Sequence, residues 1–223
     1  VMTVHVIATG GTIASHLDGT EWTNIAGAQL VAEAGPHPCD VVVEDIATGP
    51  SSNFTVDDMV RIARRVSQLL DGGACGVVVT HGTDTIELTA FVTALLLGVD
   101  TTRRPVVFTG SMRVHSHADP DGPRNIREAI AVAANPAAVG REVLVCLEGS
   151  LHAAEKVMKV NANSVDAFTS APFAPAGSIV DGTAVFHTAS VPRPAAVAGQ
   201  PSGRCRSSPR CRSPRCWPAI GCA

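Results

Sequence analysis

Three short stretches place hydroxyls and carboxylates where chemistry is possible. The first is Ala8-Thr9-Gly10-Gly11-Thr12-Ile13-Ala14, directly after a short apolar run. Paired glycines let the backbone turn tightly and expose its N–H groups. A hydroxyl carried on such a turn is a candidate nucleophile if a base stands beside it. The stretch is no phosphate loop, because Gly-Lys-Ser/Thr is missing, and no dinucleotide fingerprint, because G-x-G-x-x-G is missing. A threonine after two glycines is also an ordinary turn residue. The second stretch is Val79-Thr80-His81-Gly82-Thr83-Asp84-Thr85-Ile86-Glu87. It gathers hydroxyls, an imidazole and carboxylates at the start of a helix, where Thr83 or Asp84 is equally a plain helix cap. The third is Pro105-Val106-Val107-Phe108-Thr109-Gly110-Ser111-Met112-Arg113, with Asp121-Gly122-Pro123-Arg124-Asn125 as a second turn and helix start.

The elements that must hold these turns alternate between strand and helix. Val4–Ala8 and Asp40–Ile46 read as strands. Over Thr55–Asp71, Met59, Ile62, Val66, Leu69 and Leu70 recur at helical spacing, so one face is apolar. Thr55 with Asp57 and Asp58 starts that helix and Gly72-Gly73 ends it. Gly76–Thr80 is valine-rich and too short for a helix, hence a buried strand. Ile86–Leu97 reads as helix, Pro105–Thr109 as strand, Arg124–Ala134 as helix ending near Asn135-Pro136, and Val143–Leu147 as strand. Gly177–Phe186 reads as a hairpin around Asp181-Gly182. The rhythm predicts an α/β fold, a doubly wound, mostly parallel sheet with helices on both faces. Ligands in such folds bind beyond the carboxyl ends of the strands, where all three stretches fall.

The 223 residues are 45% apolar and 17% charged, a globular composition with length for a sizeable core. No apolar run is long enough for a membrane helix, and no secretory leader is read at the N-terminus. Formal charge is −3, split as −8 over residues 1–198 and +5 over the rest. Neither nucleic acid nor membrane is expected as a partner of the body. Lysine occurs only at Lys156 and Lys159, and tyrosine not at all. Cys39, Cys75 and Cys146 read as small buried hydrophobes in a reducing compartment, which favours a cytoplasmic location. Cys205, Cys211, Cys216 and Cys222 sit in a basic, low-complexity stretch without zinc-site spacing. The expected organisation is a catalytic domain over 1–190, a Pro/Ala-rich linker over 191–199 and a disordered tail over 200–223, its abrupt composition suggesting a frame shift.

Together the first two stretches resemble the bacterial-type L-asparaginases. Thr-Gly-Ser-Met-Arg at 109–113, Asp-Gly-Pro-Arg-Asn-Ile-Arg at 121–127, Pro-Ser-Ser-Asn-Phe-Thr at 50–55 and Val-Met-Lys-Val-Asn at 157–161 are similar to that family too, in the same order. The resemblance covers about residues 3–195. It implies hydrolysis of the side-chain amide of L-asparagine, possible glutaminase activity on L-glutamine, no metal or organic cofactor, and assembly into a homo-oligomer. Thr12 matches the family's nucleophile. Thr83, Asp84 and Lys159 match a second constellation, in which lysine eases removal of a threonine proton if its own pKa is depressed. Backbone N–H groups around Thr12 and Thr83 are the implied oxyanion donors. Asp84 is implied to bind the substrate ammonium and Ser51 and Ser52 its α-carboxylate. Ser111 marks a turn near the leaving amide, and His81 is a hydrogen-bonded scaffold residue.

The chain departs from the pattern in two places. Where the family's lid carries a tyrosine, His16–Ala26 offers Trp22, Thr23 and Asn24. The family's smaller C-terminal α/β domain is expected to be missing. An alternative reading is therefore a non-catalytic or weakly active remnant that binds an amino acid.

Overall fold

A computed structural model of the chain describes residues 2–98 and 103–187. The expected linker over 191–199 and tail over 200–223 lie outside the described residues. Twelve strands and four helices run in the order β1 (Thr3–Ala8), β2 (Ser15–Asp18), β3 (Glu21–Asn24), α1 (Gly27–Glu33), β4 (Asp40–Asp45), α2 (Val56–Asp71), β5 (Gly76–Thr80), α3 (Ile86–Leu97), β6 (Val106–Thr109), α4 (Gly122–Ala133), β7 (Leu144–Leu147), β8 (Ser150–Ala153), β9 (Met158–Lys159), β10 (Phe168–Thr169), β11 (Gly177–Val180) and β12 (Thr183–Phe186). Eight strands form the main sheet in the order β12-β11-β8-β7-β6-β5-β1-β4.

The five expected strands lie side by side and parallel as β4-β1-β5-β6-β7. Beyond them β8, β11 and β12 continue the sheet antiparallel. The expected hairpin is present, with positive φ at both Asp181 and Gly182, the backbone a tight primed turn requires. β8 has no apolar-run signal. It is made by the two-residue turn Glu148-Gly149, again with φ positive at both positions.

Alternate side chains of the central strands feed two cores. Val4, Val6, Val78, Val107, Leu144 and Cys146 pack with α1 and α4 on one face. Ile7, Val77, Val79, Val106, Phe108 and Val145 pack with α2 and α3 on the other. Both faces are covered, so strand residues of either parity are apolar. Full burial of each such valine stabilises the fold by about 1.5–3 kcal/mol. Of the body cysteines only Cys146 is fully buried; Cys39 and Cys75 are half-buried, which corrects the expectation for those two.

Local sequence sets the helix ends. Thr55 Oγ1 accepts the Asp58 amide while the Asp58 carboxylate accepts the Thr55 amide, a reciprocal capping box. In α4, Pro123 occupies the first turn, and the helix starts two residues before the expected Arg124. α1 and the β2–β3 hairpin were not expected. α1 has seven residues, too few to display a helical period.

The sheet order reverses at β1. The chain leaves β1 toward α1 on one face, and leaves β5 toward α3 on the other. The two connections diverge and open a crevice at the carboxyl ends of β1 and β5, the position where doubly wound folds take ligands.

Candidate active site

Four turns meet at that crevice because their glycines allow it. Gly11 has φ +85°, and a Cβ there would stand 2.4 Å from Gly82 Cα. A Cβ on Gly82 would stand 2.5 Å from Ser51 Oγ. The turns after β1, β4 and β5 therefore touch backbone to backbone, which any side chain would prevent. Gly11 N–H also donates to Gly49 O at 2.9 Å. The turn after β6 joins them through Gly110, where a Cβ would meet His81 O at 2.5 Å.

The result is a cleft of about 260 Å³ lined by residues that include Thr12, Ser15, Asn24, Ser51, Thr83 and Asp84. Thr12 opens a 3-10 turn over Thr12–Ala14. It is half-buried and lines the same cleft as Thr83. Thr83 is buried, and its Oγ1 lies 2.9 Å from Lys159 Nζ. The same ammonium donates to Asp84 Oδ1 at 2.9 Å. Lys159 arrives from β9, 75 residues further along the chain than Asp84. Its backbone N–H donates to Glu87 Oε2 on α3 at 2.7 Å. One acid in the first turn of α3 thus holds the strand that delivers the lysine. Glu87 was missed as a positioning residue; its signal in the sequence is that of any acid near a helix start.

Ser51 is buried in a 3-10 turn over Ser51–Asn53 and lines the cleft. Its Oγ has no hydrogen-bond partner in the protein. A buried orphan hydroxyl on a cleft wall is suited to a polar ligand, because leaving it unpaired costs about 1–3 kcal/mol. The structure does not bring in Ser52, which is exposed and not among the lining residues. Ser111 is fully buried, but its Oγ donates to Arg113 O at 2.7 Å and it does not line the cleft. Its turn is held by the Asp121 carboxylate, which accepts the amides of Met112 and Arg113 at 2.8 and 2.9 Å. Asn125 Nδ2 donates to Gly110 O at 3.0 Å. Those anchors explain why the Thr-Gly-Ser-Met-Arg and Asp-Gly-Pro-Arg-Asn stretches occur together.

His81 sits under the Thr83 turn, fully buried, with Nδ1 2.8 Å from Gly82 O. Its ring packs edge-on to Phe54 at 5.1 Å between centroids and against Phe108. Burial pushes its pKa down to about 4. The imidazole is therefore neutral near pH 7, with Nδ1–H donating to Gly82 O and Nε2 unpartnered. It braces the turn and does not line the cleft.

The mouth is covered by the β2–β3 hairpin, in which Leu17 pairs with Trp22 and His16 with Thr23. Trp22, Thr23 and Asn24 line the cleft. Trp22 is 62% exposed, which leaves its indole available to a ligand. Among the described residues no cluster of three or more His, Cys, Asp or Glu side chains suits a metal ion, and no helix is long and apolar enough to cross a membrane.

The family model for the asparaginase N-terminal domain matches residues 3–192. The chain is 36% identical over 187 residues to L-asparaginase 2 of Bacillus subtilis, covering 80% of this chain and 49% of that protein. It is 32% identical over 200 residues to the glutaminase-asparaginase of Pseudomonas aeruginosa, covering 85% of this chain and 54% of that one. Among solved structures, the probable cytoplasmic L-asparaginase of Campylobacter jejuni superposes with a TM-score of 0.76 at 34% identity, over 84% of this chain and 58% of that one. The thermostable L-asparaginase of Thermococcus kodakarensis gives 0.74 at 28% identity, over 84% and 56%. The chain spans about half the length of the curated relatives it matches.

Proposed function

The chain belongs to the asparaginase family, and from that membership and the cleft we propose that it hydrolyses the side-chain amide of L-asparagine to L-aspartate and ammonia. The observation that carries this reading is the convergence of Thr12 and Thr83 on one cleft, with Lys159 Nζ 2.9 Å from Thr83 Oγ1.

In the first half-reaction Thr12 Oγ attacks the amide carbon. Its proton passes to the leaving nitrogen, which departs as ammonia, and an aspartyl ester of Thr12 remains. In the second, water adds to that ester and gives its proton to Thr83 Oγ1 as the Thr83 hydroxyl proton passes to Thr12 Oγ, so Thr12 recovers its hydroxyl and aspartate leaves; the Lys159 ammonium holds and polarises Thr83 through its hydrogen bond. A hydroxyl near neutral pH needs such assistance, because it is barely ionised by itself. The backbone N–H groups of Thr12 and Thr83 are the donors proposed for the developing oxyanion, each commonly worth about 3–4 kcal/mol. Asp84 already gives Oδ1 to Lys159, and Oδ2 is the oxygen proposed for the substrate ammonium. The orphan hydroxyl of Ser51 is proposed for the substrate carboxylate. Ser52 and Ser111 are kept only as neighbours of the site, through their turns.

L-Glutamine is proposed as a second substrate, since one extra methylene discriminates weakly. The catalytic unit is proposed to span residues 1–190, and a cytoplasmic location is proposed from likeness to the probable cytoplasmic L-asparaginase of Campylobacter jejuni. A homo-oligomer is part of the same reading: Leu88, Phe91 and Leu95 form an exposed apolar stripe on α3 that a second copy would cover. Ammonia release from L-asparagine by the purified chain, beside Thr12→Ala and Thr83→Ala, tests the assignment. Loss of release in both variants is expected, and hydrolysis surviving both would refute it.

A further inference from the structure

The β2–β3 hairpin over the cleft mouth is fastened to the loop between β6 and α4, and two imidazoles meet at that junction. His16 lies on β2 and His115 in the loop, 99 residues apart, with their Nδ1 atoms 3.3 Å from each other. An N–H···N bond needs one donor and one acceptor, so one Nδ1 carries a proton and the other a lone pair. The Glu33 carboxylate of α1 decides which is which, because it accepts from His115 Nε2. Neutral His115 then has its proton on Nε2 and its lone pair on Nδ1, and His16 donates its Nδ1–H. Two further bonds hold the junction: His115 N–H donates to Ser15 O at 2.8 Å, and Leu17 N–H donates to Ser116 Oγ at 3.0 Å. Across the hairpin from His16 stands Thr23, which lines the cleft together with Trp22 and Asn24.

We propose that His16 and His115 form a proton-sensitive clasp on the β2–β3 hairpin, closed while one proton lies between their Nδ1 atoms and opened when both Nδ1 atoms carry one. With both rings neutral, His16 donates and the bond is made. When the pair takes up one proton, His115 becomes a cation against Glu33, His16 keeps its proton on Nε2 and accepts, and the bond survives. A second added proton sets two N–H groups and two positive charges face to face with no lone pair between them, and the bond is lost. Hydrogen bonds from Gln29 and His115 hold the Glu33 carboxyl below the usual carboxylate range, so the anion behind His115 persists on acidification. The other charges around the junction are engaged elsewhere. Arg113 pairs with Asp119 at 2.6 Å, Arg127 of α4 donates to Ala34 O at 3.2 Å, and His117 Nδ1 accepts the Asp119 amide at 3.0 Å. On the hairpin itself Asp18 and Glu21 stand opposite each other at its turn. Access to the cleft is thereby tied to pH whatever the substrate, so the clasp does not rest on the proposed reaction.

The test is amide hydrogen exchange over residues 15–24 of the full chain, corrected for the intrinsic effect of pH. Wild type is compared with His16→Ala, His115→Ala, the double variant and His115→Asn, whose amide oxygen can accept where Nδ1 does. At pH 7.5 each alanine variant should lose about 3–10-fold in hairpin protection, the usual worth of one hydrogen bond, and the double variant little more than either. His115→Asn should keep most of the protection. From pH 7.5 to 4.5 wild-type hairpin protection should fall by a similar factor, while that of His115→Asn, which always offers an acceptor to His16, should not. Amides of β5, which open only with the whole fold, report any general loss of stability separately. Additive losses in the double variant, wild-type hairpin protection that ignores acid, or an equal acid loss in His115→Asn would each overturn the proposal. No readout depends on amide hydrolysis, so its failure and that of the proposed function are separable.

Discussion

Acidification should unfasten the site from beneath, through His81. The ring is fully buried between Phe54 and Phe108, and its Nε2 faces no acceptor. A second proton would place an uncompensated charge there, which is why its pKa falls from 6.5 to about 4. In the unfolded chain the imidazole titrates near its ordinary value. Above about pH 6.5 both states hold it neutral, and its stabilising neutrality is fully present. As pH falls from 6.5 to about 4 the unfolded state binds the proton and the folded state resists it, so stability is lost across that window. At about 1.4 kcal/mol per pH unit, the loss amounts to about 3 kcal/mol. Urea unfolding at several pH values between 7 and 4.5, on wild type and His81→Gln, reads this directly. Whatever the substitution costs at pH 7, the wild-type advantage should shrink by about 1.4 kcal/mol per pH unit once below the unfolded-state titration. A difference between the two proteins that stays flat across the range, or an NMR titration of the His81 ring centred near 6.5, would refute the argument.

Three further outcomes follow from the geometry. Lys159→Met should lower turnover of L-asparagine by about 10²–10⁴-fold, the usual worth of a positioned acid–base group, and Lys159→Arg should not restore it; steady-state kinetics decides. Gly11→Ala should abolish activity and lower the thermal midpoint, since its Cβ would lie 2.4 Å from Gly82 Cα at a φ of +85°; unchanged kinetics would mean the two turns do not need that contact. Thr55→Val, which removes the capping box of α2 at a residue that does not line the cleft, should cost about 1 kcal/mol in urea unfolding and leave kcat unchanged.

The parallel half of the fold was legible because it follows strong local rules. Valine runs too short for helices gave the central strands, and the period of Met59, Ile62, Val66 and Leu69 gave α2. Doubly wound topology then put Thr12 and Thr83 at neighbouring strand ends. The antiparallel extension was less legible. β8 has a polar start, Ser150, and depends on a turn that gives Glu148 a positive φ, a conformation that glutamate does not advertise. The β2–β3 hairpin is not legible in the sequence because Ser15–Asp18 and Glu21–Asn24 have no apolar alternation: every residue of β3 is exposed, and pairing rather than burial defines it. In the site, Thr12, Thr83, Asp84 and Ser51 line one cleft and Lys159 reaches Thr83 and Asp84, whereas Ser52 is exposed and the Ser111 hydroxyl is taken by Arg113 O. A pair of adjacent serines does not say which one turns inward; the approach of Gly82 to Ser51 decides it. Glu87 escaped notice because its partner is a backbone N–H 72 residues away.

The central claim is that the Thr12 hydroxyl attacks the amide. Acid quenching during turnover of L-asparagine, followed by peptide mass spectrometry, tests it most directly. An aspartyl adduct on the peptide carrying Thr12, absent from Thr12→Ala, is predicted. Sustained ammonia release by Thr12→Ala, or an adduct on the Thr83 peptide instead, would contradict it.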